Sequence, residues 1–378
     1  MESFVQEMDI LYGDSFQIDV LTTTPNRYSN YNPSNEFTSF GKKIRIERCL
    51  IENQRKGFIY QAYSFIKYFF YVIHFINNSK KFDLVFSTSS KLMTGFLGAI
   101  VSHKVKSKFF LDIRDIFSET IEDIFSKKIS ALLLPMITII EKYTMSRADR
   151  VNLVSRGFES YFSKKYPNND YCFITNGIDQ EFIDFFDEEY FSSKSRMIEP
   201  RGLRPLKIFY AGNIGEGQGL DKILPEMATI IKEDAEFTIV GDGSGLAALQ
   251  KVIFEKNISN IVIHKPVARD ELLKFYLSSD ILFLHLNNYD AFKKVLPSKI
   301  FEYAATGLPI LAGVDGYSKE FLQENVENSR IFTPCNAKEA IDEMNMLDFD
   351  STNRKEFKEN YSRKKTSEML VSRFIELL

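Results

Sequence analysis

The sequence predicts an α/β protein made of two doubly wound domains with parallel sheets. Three observations carry this: short apolar runs without polar alternation, helical stretches between nearly all of them, and glycine-rich turns where a run passes into a helix. A strand that is apolar on both sides is covered on both faces, as in a parallel sheet with helices front and back. At 378 residues the chain is long for one core and suits two.

The pattern is clearest between 205 and 315. Strands are expected at 207–211, 237–240, 261–263, 281–286 and 309–312, with helices at 220–231, 246–256, 270–277 and 298–305 between them. Ligands of such a domain sit at the C-terminal ends of the strands. The first half alternates more loosely, with strands expected at 17–22, 84–87, 108–112, 150–154 and 172–175. Helices fit at 58–79, 91–102, 129–146 and 156–165. Residues 1–11 read as a helix, so the central strand and glycine turn that normally open such a domain are missing from the start. A gap in a buried ladder leaves costly unpaired backbone groups, and a truncated or misassigned start is the expectation. The polar stretch 187–205 is the expected linker. The domains are then 1–190, 200–353, and a C-terminal helix 354–378 that crosses back to the first, with a ligand cleft between the two Rossmann-like halves.

Composition removes several function classes. A formal charge of −3 lacks the basic excess of a nucleic-acid binder, so no nucleic-acid partner is expected. The four histidines (His74, His103, His264 and His285) have no metal-ligand spacing, and no metal is expected. Cys49, Cys172 and Cys335 are far apart and read as reduced thiols of a cytoplasmic protein. No signal peptide or spanning helix stands out. The closest candidate is the aromatic-rich run 58–76, interrupted by Gln61, Lys67 and His74. It reads first as a core or half-buried helix, and second as a helix resting on a membrane surface beside Lys80 and Lys81.

Two segments carry chemistry. The first, Tyr210-Ala-Gly-Asn-Ile-Gly-Glu-Gly-Gln-Gly-Leu220, follows a strand and opens a helix. Backbone N–H groups at such a turn form a site for a diphosphate, and Gly212, Gly215, Gly217 and Gly219 exceed what a plain turn needs. It lacks the G-x-G-x-x-G spacing of dinucleotide-binding proteins, as does the weaker loop Gly241-Asp-Gly-Ser-Gly245. The second segment is Val295-Leu-Pro-Ser-Lys-Ile-Phe-Glu-Tyr-Ala-Ala-Thr-Gly-Leu-Pro-Ile310. Ser298 is placed to cap the helix that follows, and Glu302 lies on the same face four residues on. A carboxylate there can accept two hydrogen bonds from a ribose diol, and Lys299 can reach a phosphate. Read alone, Glu302 is an ordinary helix carboxylate and Lys299 a solvated charge. His285, inside an apolar strand, reads as a core histidine before a functional one.

In this order, these segments and Ile239-Val-Gly-Asp-Gly243 resemble the family 4 retaining glycosyltransferases, closest to bacterial members that build O-antigen and capsule repeat units. The likeness extends to Asp112-Ile-Arg-Asp-Ile-Phe-Ser-Glu119, Val154-Ser-Arg156 and Ile174-Thr-Asn-Gly-Ile-Asp179 in the first half. The resemblance implies a GT-B fold and transfer from a nucleotide sugar, UDP ahead of GDP, with retention and without metal. It implies a lipid-linked sugar or glycan acceptor at the inner membrane face, and a peripheral, cytoplasmic protein. Glu302 matches the second glutamate of the family's E-x7-E motif, which contacts the ribose. Position 294, where the first would fall, is Lys294, and the first glycine loop has Asn213 and Gln218 where many members place Arg and Lys.

The expected donor set is Gly212, Asn213, Gly215, Gln218, Gly219, Gly241, Pro266, Val267, Lys294, Pro297, Ser298, Lys299 and Glu302, with Lys294 and Lys299 supplying charge for the diphosphate. Arg114 and Asp115 are the acceptor-side candidates, and together with Glu302 the catalytic ones; a structural ion pair is their plainer reading. Other readings are a nicotinamide-dependent oxidoreductase, a truncated product that binds nucleotide without turnover, and a nucleotide-sugar epimerase.

Overall fold

The computed structural model describes residues 2–13, 15–24, 43–51, 58–78, 81–89, 92–124, 127–186, 204–350 and 352–378. They fall into two compact units: Met1–Val154, Glu159–Thr175 and Thr366–Leu378 form the first, and Ser155–Phe158 with Asn176–Lys365 the second. After the short visit of Ser155–Phe158, the chain passes into the second unit at Asn176, ahead of the expected linker, most of which (187–203) lies outside the described residues. The reason is packing: Ile178, Phe182 and Phe186 are buried in the second unit's core.

In the first unit, helix α1 (Glu2–Tyr12) precedes β1 (Ile18–Thr23) and β2 (Ile44–Cys49), which pair in parallel with Ile18 opposite Ile44. Four further strands, β3 (Leu84–Thr88), β4 (Lys108–Ile113), β5 (Arg150–Leu153) and β6 (Tyr171–Cys172), form a parallel sheet in chain order. Among the described residues β1–β2 and β3–β6 are separate sheets. Phe4 of α1 stacks on Phe86 at 4.8 Å and meets Phe374 edge-on at 5.4 Å. Strand β2 is absent from the strands expected from sequence because Ile44 and Ile46 alternate there with Arg45 and Glu47, unlike the continuous apolar runs elsewhere.

Helices α2 (Phe58–Asn77), α3 (Leu92–Val105), α4 (Phe117–Ile124), α5 (Lys127–Arg147) and α6 (Glu159–Lys165) also belong to this unit. Val72 and Ile76 of α2 pack with Leu97 and Val101 of α3, so the aromatic run is a half-buried helix. Among the described residues, the helix long and apolar enough to cross a membrane, by length and composition, is instead Lys128–Arg147, which does not stand out in the sequence. Its charges gather toward its ends, and Glu141 is buried against Lys165 at 2.7 Å and Tyr166 at 2.8 Å.

The second unit holds β7 (Leu206–Asn213), β8 (Ala235–Asp242), β9 (Ile261–His264), β10 (Ile281–His285), β11 (Ile310–Gly313) and β12 (Ser329–Phe332). They form one parallel sheet in the order β12-β11-β10-β7-β8-β9. The order reverses between β7 and β10, the topological switch point at which such sheets bind ligands. Its helices are α7 (Gln180–Phe185), α8 (Leu220–Ile231), α9 (Leu246–Glu255), α10 (Arg269–Leu277), α11 (Lys299–Ala305), α12 (Tyr317–Asn325), α13 (Ala337–Met344), α14 (Lys355–Asn360) and α15 (Arg363–Ile375), the last of which runs on into the first unit. Ile208 and Ile281 are buried in one core while their chain neighbours Phe209 and Leu282 are buried in another, the two-sided burial that unalternated strands predict.

The expected single helix 354–378 is broken between α14 and α15. Ile178 pairs there, its N–H donating to the Tyr361 carbonyl and its carbonyl accepting from the Arg363 N–H, each at 2.7 Å. A helix cannot give those groups to a strand-like partner and keep its own ladder.

Candidate functional site

The loops that leave β7 and β10 flank the switch point, and the first is the glycine-rich segment. Gly212 is at φ 140°, and a Cβ there would come within 2.4 Å of the Lys299 Nζ. Glycine is what lets that lysine lie along the end of the strand. Gly219 closes the loop in the left-handed region, φ 56°, before α8 begins at Leu220. Gly241 is the parallel partner of Gly212 on β8.

Lys299, in the first turn of α11, donates to the Tyr210 hydroxyl at 2.9 Å and lies 4.5 Å from the centre of its ring. Tyr210 in turn donates to the Asn213 carbonyl at 2.6 Å. The two separated segments that the sequence singles out are therefore joined at one point by a cation, a phenol and a loop carbonyl. Burial raises the Tyr210 phenol well above its ordinary value, so it stays a neutral donor.

The loop also satisfies itself. Gln218 Oε1 accepts from the Asn213 side-chain amide at 2.9 Å and from the Gly215 N–H at 3.1 Å. The N–H of Ile214 donates to Asp242, that of Gln218 to Gly215 and that of Gly219 to Glu216. In a loop lacking the expected Arg and Lys, the Asn213–Gln218 amide pair holds the turn shut. A diphosphate that took the Gly215 N–H would have to displace the Gln218 side chain.

Glu302 is half-buried one turn into α11, and its carboxylate makes no hydrogen bond among the described residues. Burial raises its carboxyl above the ordinary range, against the pull of the nearby Arg269, Lys299 and Arg363 charges. Arg269, at the start of α10, is itself paired with Asp179 at 2.7 Å, and Arg363 binds the same carboxylate. Asp179 ends the Asn-Gly-Ile-Asp segment, so that motif sits in the second unit and anchors the cations around Glu302.

Ser298 departs from its expected role. It occupies the N-cap position of α11, but with helical φ −59° and ψ −25° it makes no side-chain cap. The Ile300 N–H bonds to the Pro297 carbonyl instead, continuing the turn from Pro297. Lys294 lies on the turn 290–294 after β10, and its carbonyl accepts from Ser155 Oγ at 2.5 Å. Pro266 is exposed and Val267 half-buried, both on the loop between β9 and α10.

Arg114 and Asp115 lie in the first unit, at the end of β4. The carboxylate paired with Arg114 is Asp112, at 2.8 Å, with Thr88 at 3.0 Å. Asp112 is buried and takes a second hydrogen bond from Asn152 at 2.7 Å. Arg114 is thus paired with a carboxylate two residues back rather than with Asp115, in a polar network completed by the distant Thr88 and Asn152. Burial pushes the Asp115 carboxyl up to about 6, opposed only in part by the Ile116 N–H. Among the described residues, no group of three or more His, Cys, Asp or Glu is placed to hold a metal ion.

The residues beneath the glycine loop are the ones that sequence reasoning passes over. Tyr210, His285 and Asn287 read as ordinary strand or loop residues, yet each hydrogen-bonds to a loop carbonyl. A polar residue at the end of an apolar strand, beside a glycine loop in the predicted topology, is the available signal.

Residues 192–364 match the family described as Glycosyl transferases group 1. A Pseudomonas aeruginosa protein named as glycosyltransferase WbjE is 22% identical over 246 residues, covering 65% of this chain and 60% of that protein. An Escherichia coli (strain K12) protein named as colanic acid biosynthesis glycosyl transferase WcaI is 30% identical over 112 residues, 30% of this chain and 27% of that one. This chain thus spans under two thirds of the length of both. The Anabaena protein HepE, solved in complex with UDP, superimposes with TM-score 0.63 at 13% identity, covering 96% of this chain and 100% of that one. Its complex with UDP-glucose gives 0.66 at 12%. These likenesses bear on fold, and the fold is the predicted one: two Rossmann-like α/β units of the GT-B type.

Proposed function

We propose that the chain is a glycosyltransferase of bacterial surface polysaccharide synthesis. In this reading it moves a sugar from a nucleotide sugar, UDP-linked, to a lipid-linked or glycan acceptor with retention of configuration. The observation that carries it is the meeting of Lys299 with the Gly212–Gly219 loop at the switch point, with Glu302 one turn further along the same helix. The names of WbjE and WcaI, and the UDP and UDP-glucose bound by HepE, support the reaction class and the donor.

The chemistry follows from the charges. Glu302 offers an open carboxylate to a ribose diol, and Lys299 offers a cation to the diphosphate. A departing diphosphate stabilised in this way can accept the proton of the attacking hydroxyl, so that positioning and electrostatics supply the rate. Lysine charge in place of a metal is part of the proposal. Asp115, with its raised carboxyl, is the acceptor-side group suited to orient the attacking hydroxyl by a hydrogen bond while the diphosphate takes its proton. An oxidoreductase is not favoured, because neither glycine loop has the dinucleotide spacing.

A lipid-linked acceptor places the protein at the cytoplasmic membrane face. In support, α5 exposes Ile129, Leu132, Met136 and Ile139 on one face, with Leu132 78% exposed, and α2 exposes Tyr63, Ile66 and Phe70. Exposed Lys128, Lys142 and Lys67 flank them, the pattern of a helix lying on anionic lipid. Lys80, the other flank expected from sequence, lies outside the described residues.

Calorimetric titration with UDP, UDP-glucose and GDP, with and without EDTA, tests the donor half. Micromolar UDP binding unchanged by EDTA is expected; no binding of any nucleotide diphosphate would sink the reading. Sedimentation with anionic vesicles tests the membrane half, and binding equal in wild type and Leu132→Glu/Ile139→Glu would count against it.

A further inference from the structure

His285 ends β10, next to β7 at the switch point, and its side chain is fully buried. Nε2 lies 2.9 Å from the Cys335 backbone nitrogen and Nδ1 lies 2.6 Å from the Gln218 carbonyl oxygen. A backbone N–H only donates, so Nε2 carries the lone pair and the proton is on Nδ1, donating to Gln218. The two partners fix one tautomer of a neutral ring. Burial agrees, holding the imidazole down to about 4, with the nearby Lys222 charge acting in the same direction.

Two residues on, Asn287 grips the same loop. Its N–H donates to the Gly217 carbonyl at 2.8 Å, and its side-chain amide to the Glu216 carbonyl at 3.0 Å. The consecutive carbonyls of Glu216, Gly217 and Gln218 are therefore each taken by a donor from the end of β10. Asn287 is itself held, its Oδ1 accepting from Lys222 Nζ at 3.1 Å. A peptide plane is rigid, so a carbonyl fixed on one side turns its N–H to the other. These bonds fix the planes that carry the Gly217, Gln218 and Gly219 N–H groups; those of Gln218 and Gly219 close the turn on Gly215 and Glu216, so the clasp sets the shape of the loop and the direction of the Gly217 N–H.

We propose that His285, with Asn287, is a positioning residue for the donor: it clasps the three loop carbonyls toward β10, so that diphosphate binding at the loop depends on it. Neither residue touches the donor in this scheme. The inference rests on the reading of the loop as the diphosphate site.

The full chain is tested with UDP as the probe, in wild type, His285→Leu, His285→Asn and Asn287→Ala. His285→Leu removes both hydrogen bonds, whereas His285→Asn can keep the amide donor toward Gln218. Loss of about tenfold or more in UDP affinity is expected for His285→Leu and for Asn287→Ala, as for a lost buried hydrogen bond. His285→Asn should recover most of it, and in turnover the loss should fall on donor KM rather than kcat. Thermal melts of each variant separate unfolding from loosening. Should His285→Leu not fold, Asn287→Ala and His285→Asn carry the comparison. A cooperatively folded His285→Leu or Asn287→Ala with UDP affinity within about twofold of wild type overturns the clasp. Amide exchange at Gly217–Gly219 is read in parallel without ligand and should be faster in the variants. If wild type binds no UDP but the variants speed exchange, the donor reading fails and the clasp stands; unchanged exchange removes the clasp itself.

Discussion

Lys299 and Tyr210 meet ammonium to hydroxyl at 2.9 Å, with the ammonium also 4.5 Å from the centre of the ring. The pair joins the first turn of α11 to the end of β7, and the phenol that holds the half-buried lysine is neutral. A neutral phenol does not cancel the ammonium's charge, which can still act on an anionic ligand. Lys299→Ala is expected to lower UDP affinity by about 10–100-fold, the usual range for a hydrogen bond to a charged group. Tyr210→Phe keeps the ring but drops the hydroxyl, and should lower it about threefold to tenfold by freeing the Asn213 carbonyl and the ammonium. Calorimetry on both variants checks the order; an equal loss in each would mean that Lys299 acts only by supporting the loop.

Glu302 has an open carboxylate, and the expected partner is a ribose diol. Wild type should then bind UDP more tightly than 2′-deoxy-UDP by about tenfold, since one charge-assisted hydrogen bond is lost. In Glu302→Ala the two nucleotides should bind equally, both weakly. If the variant still discriminated between them as wild type does, the ribose would be read by another group.

Acid should act oppositely on the two units. Asp115 has a folded value of about 6 against an unfolded one near 3.8, so the folded state holds the proton more tightly. Its contribution is most favourable below 3.8 and is lost as pH rises through 6. His285 runs the other way: its folded value of about 4 lies below 6.5, so the unfolded state takes up the proton first. Stability there is lost as pH falls from 6.5 toward 4. Each effect is worth roughly 1–3 kcal/mol at most. Calorimetric melts from pH 4 to 7 should show the unfolding of the second unit moving up with pH. Asp115→Asn should stabilise the first by roughly 1–2 kcal/mol at pH 7 while abolishing transfer. A variant as active as wild type would remove Asp115 from the chemistry.

Much of this fold is legible in the order of the residues. The strands from β7 to β11 announce themselves because both faces are covered, and unalternated apolar runs have no other use at that spacing. Gly212 can be picked out from its glycine-rich turn, whereas Lys299 and Glu302 stand out only through the pattern around them and the family it resembles. Less legible are features made by partners far apart in sequence. Nothing near Arg114 says that the carboxylate it pairs with, Asp112, is also held by a buried Asn152 forty residues away, or that Ile178 interrupts the C-terminal helix. Ser298 looks like a cap on residue type alone, but capping depends on a backbone angle that Pro297 and the turn before it decide.

Arg354 shows the same dependence on distant partners, and it can be tested. Its side chain is buried, and its guanidinium donates to the carbonyls of Glu327 at 2.6 Å, Asn328 at 3.3 Å and Ala304 at 3.3 Å. Glu327 and Asn328 lead into β12, while Ala304 ends α11, so one cation ties the back of the donor helix to the edge of the sheet. Planar donors in several directions are what carbonyls at those angles require, and an ammonium on a flexible stem cannot reproduce them. Arg354→Lys should therefore cost about 1–3 kcal/mol, and Arg354→Ala, which leaves the carbonyls unpaired and opens a cavity, about 3–5 kcal/mol. Urea unfolding would measure both. Because α11 carries Lys299 and Glu302 at its other end, UDP affinity in a folded Arg354→Lys chain should change by less than about threefold. A larger loss of affinity without a matching loss of stability would mean that Arg354 sets the position of the donor helix rather than only securing it.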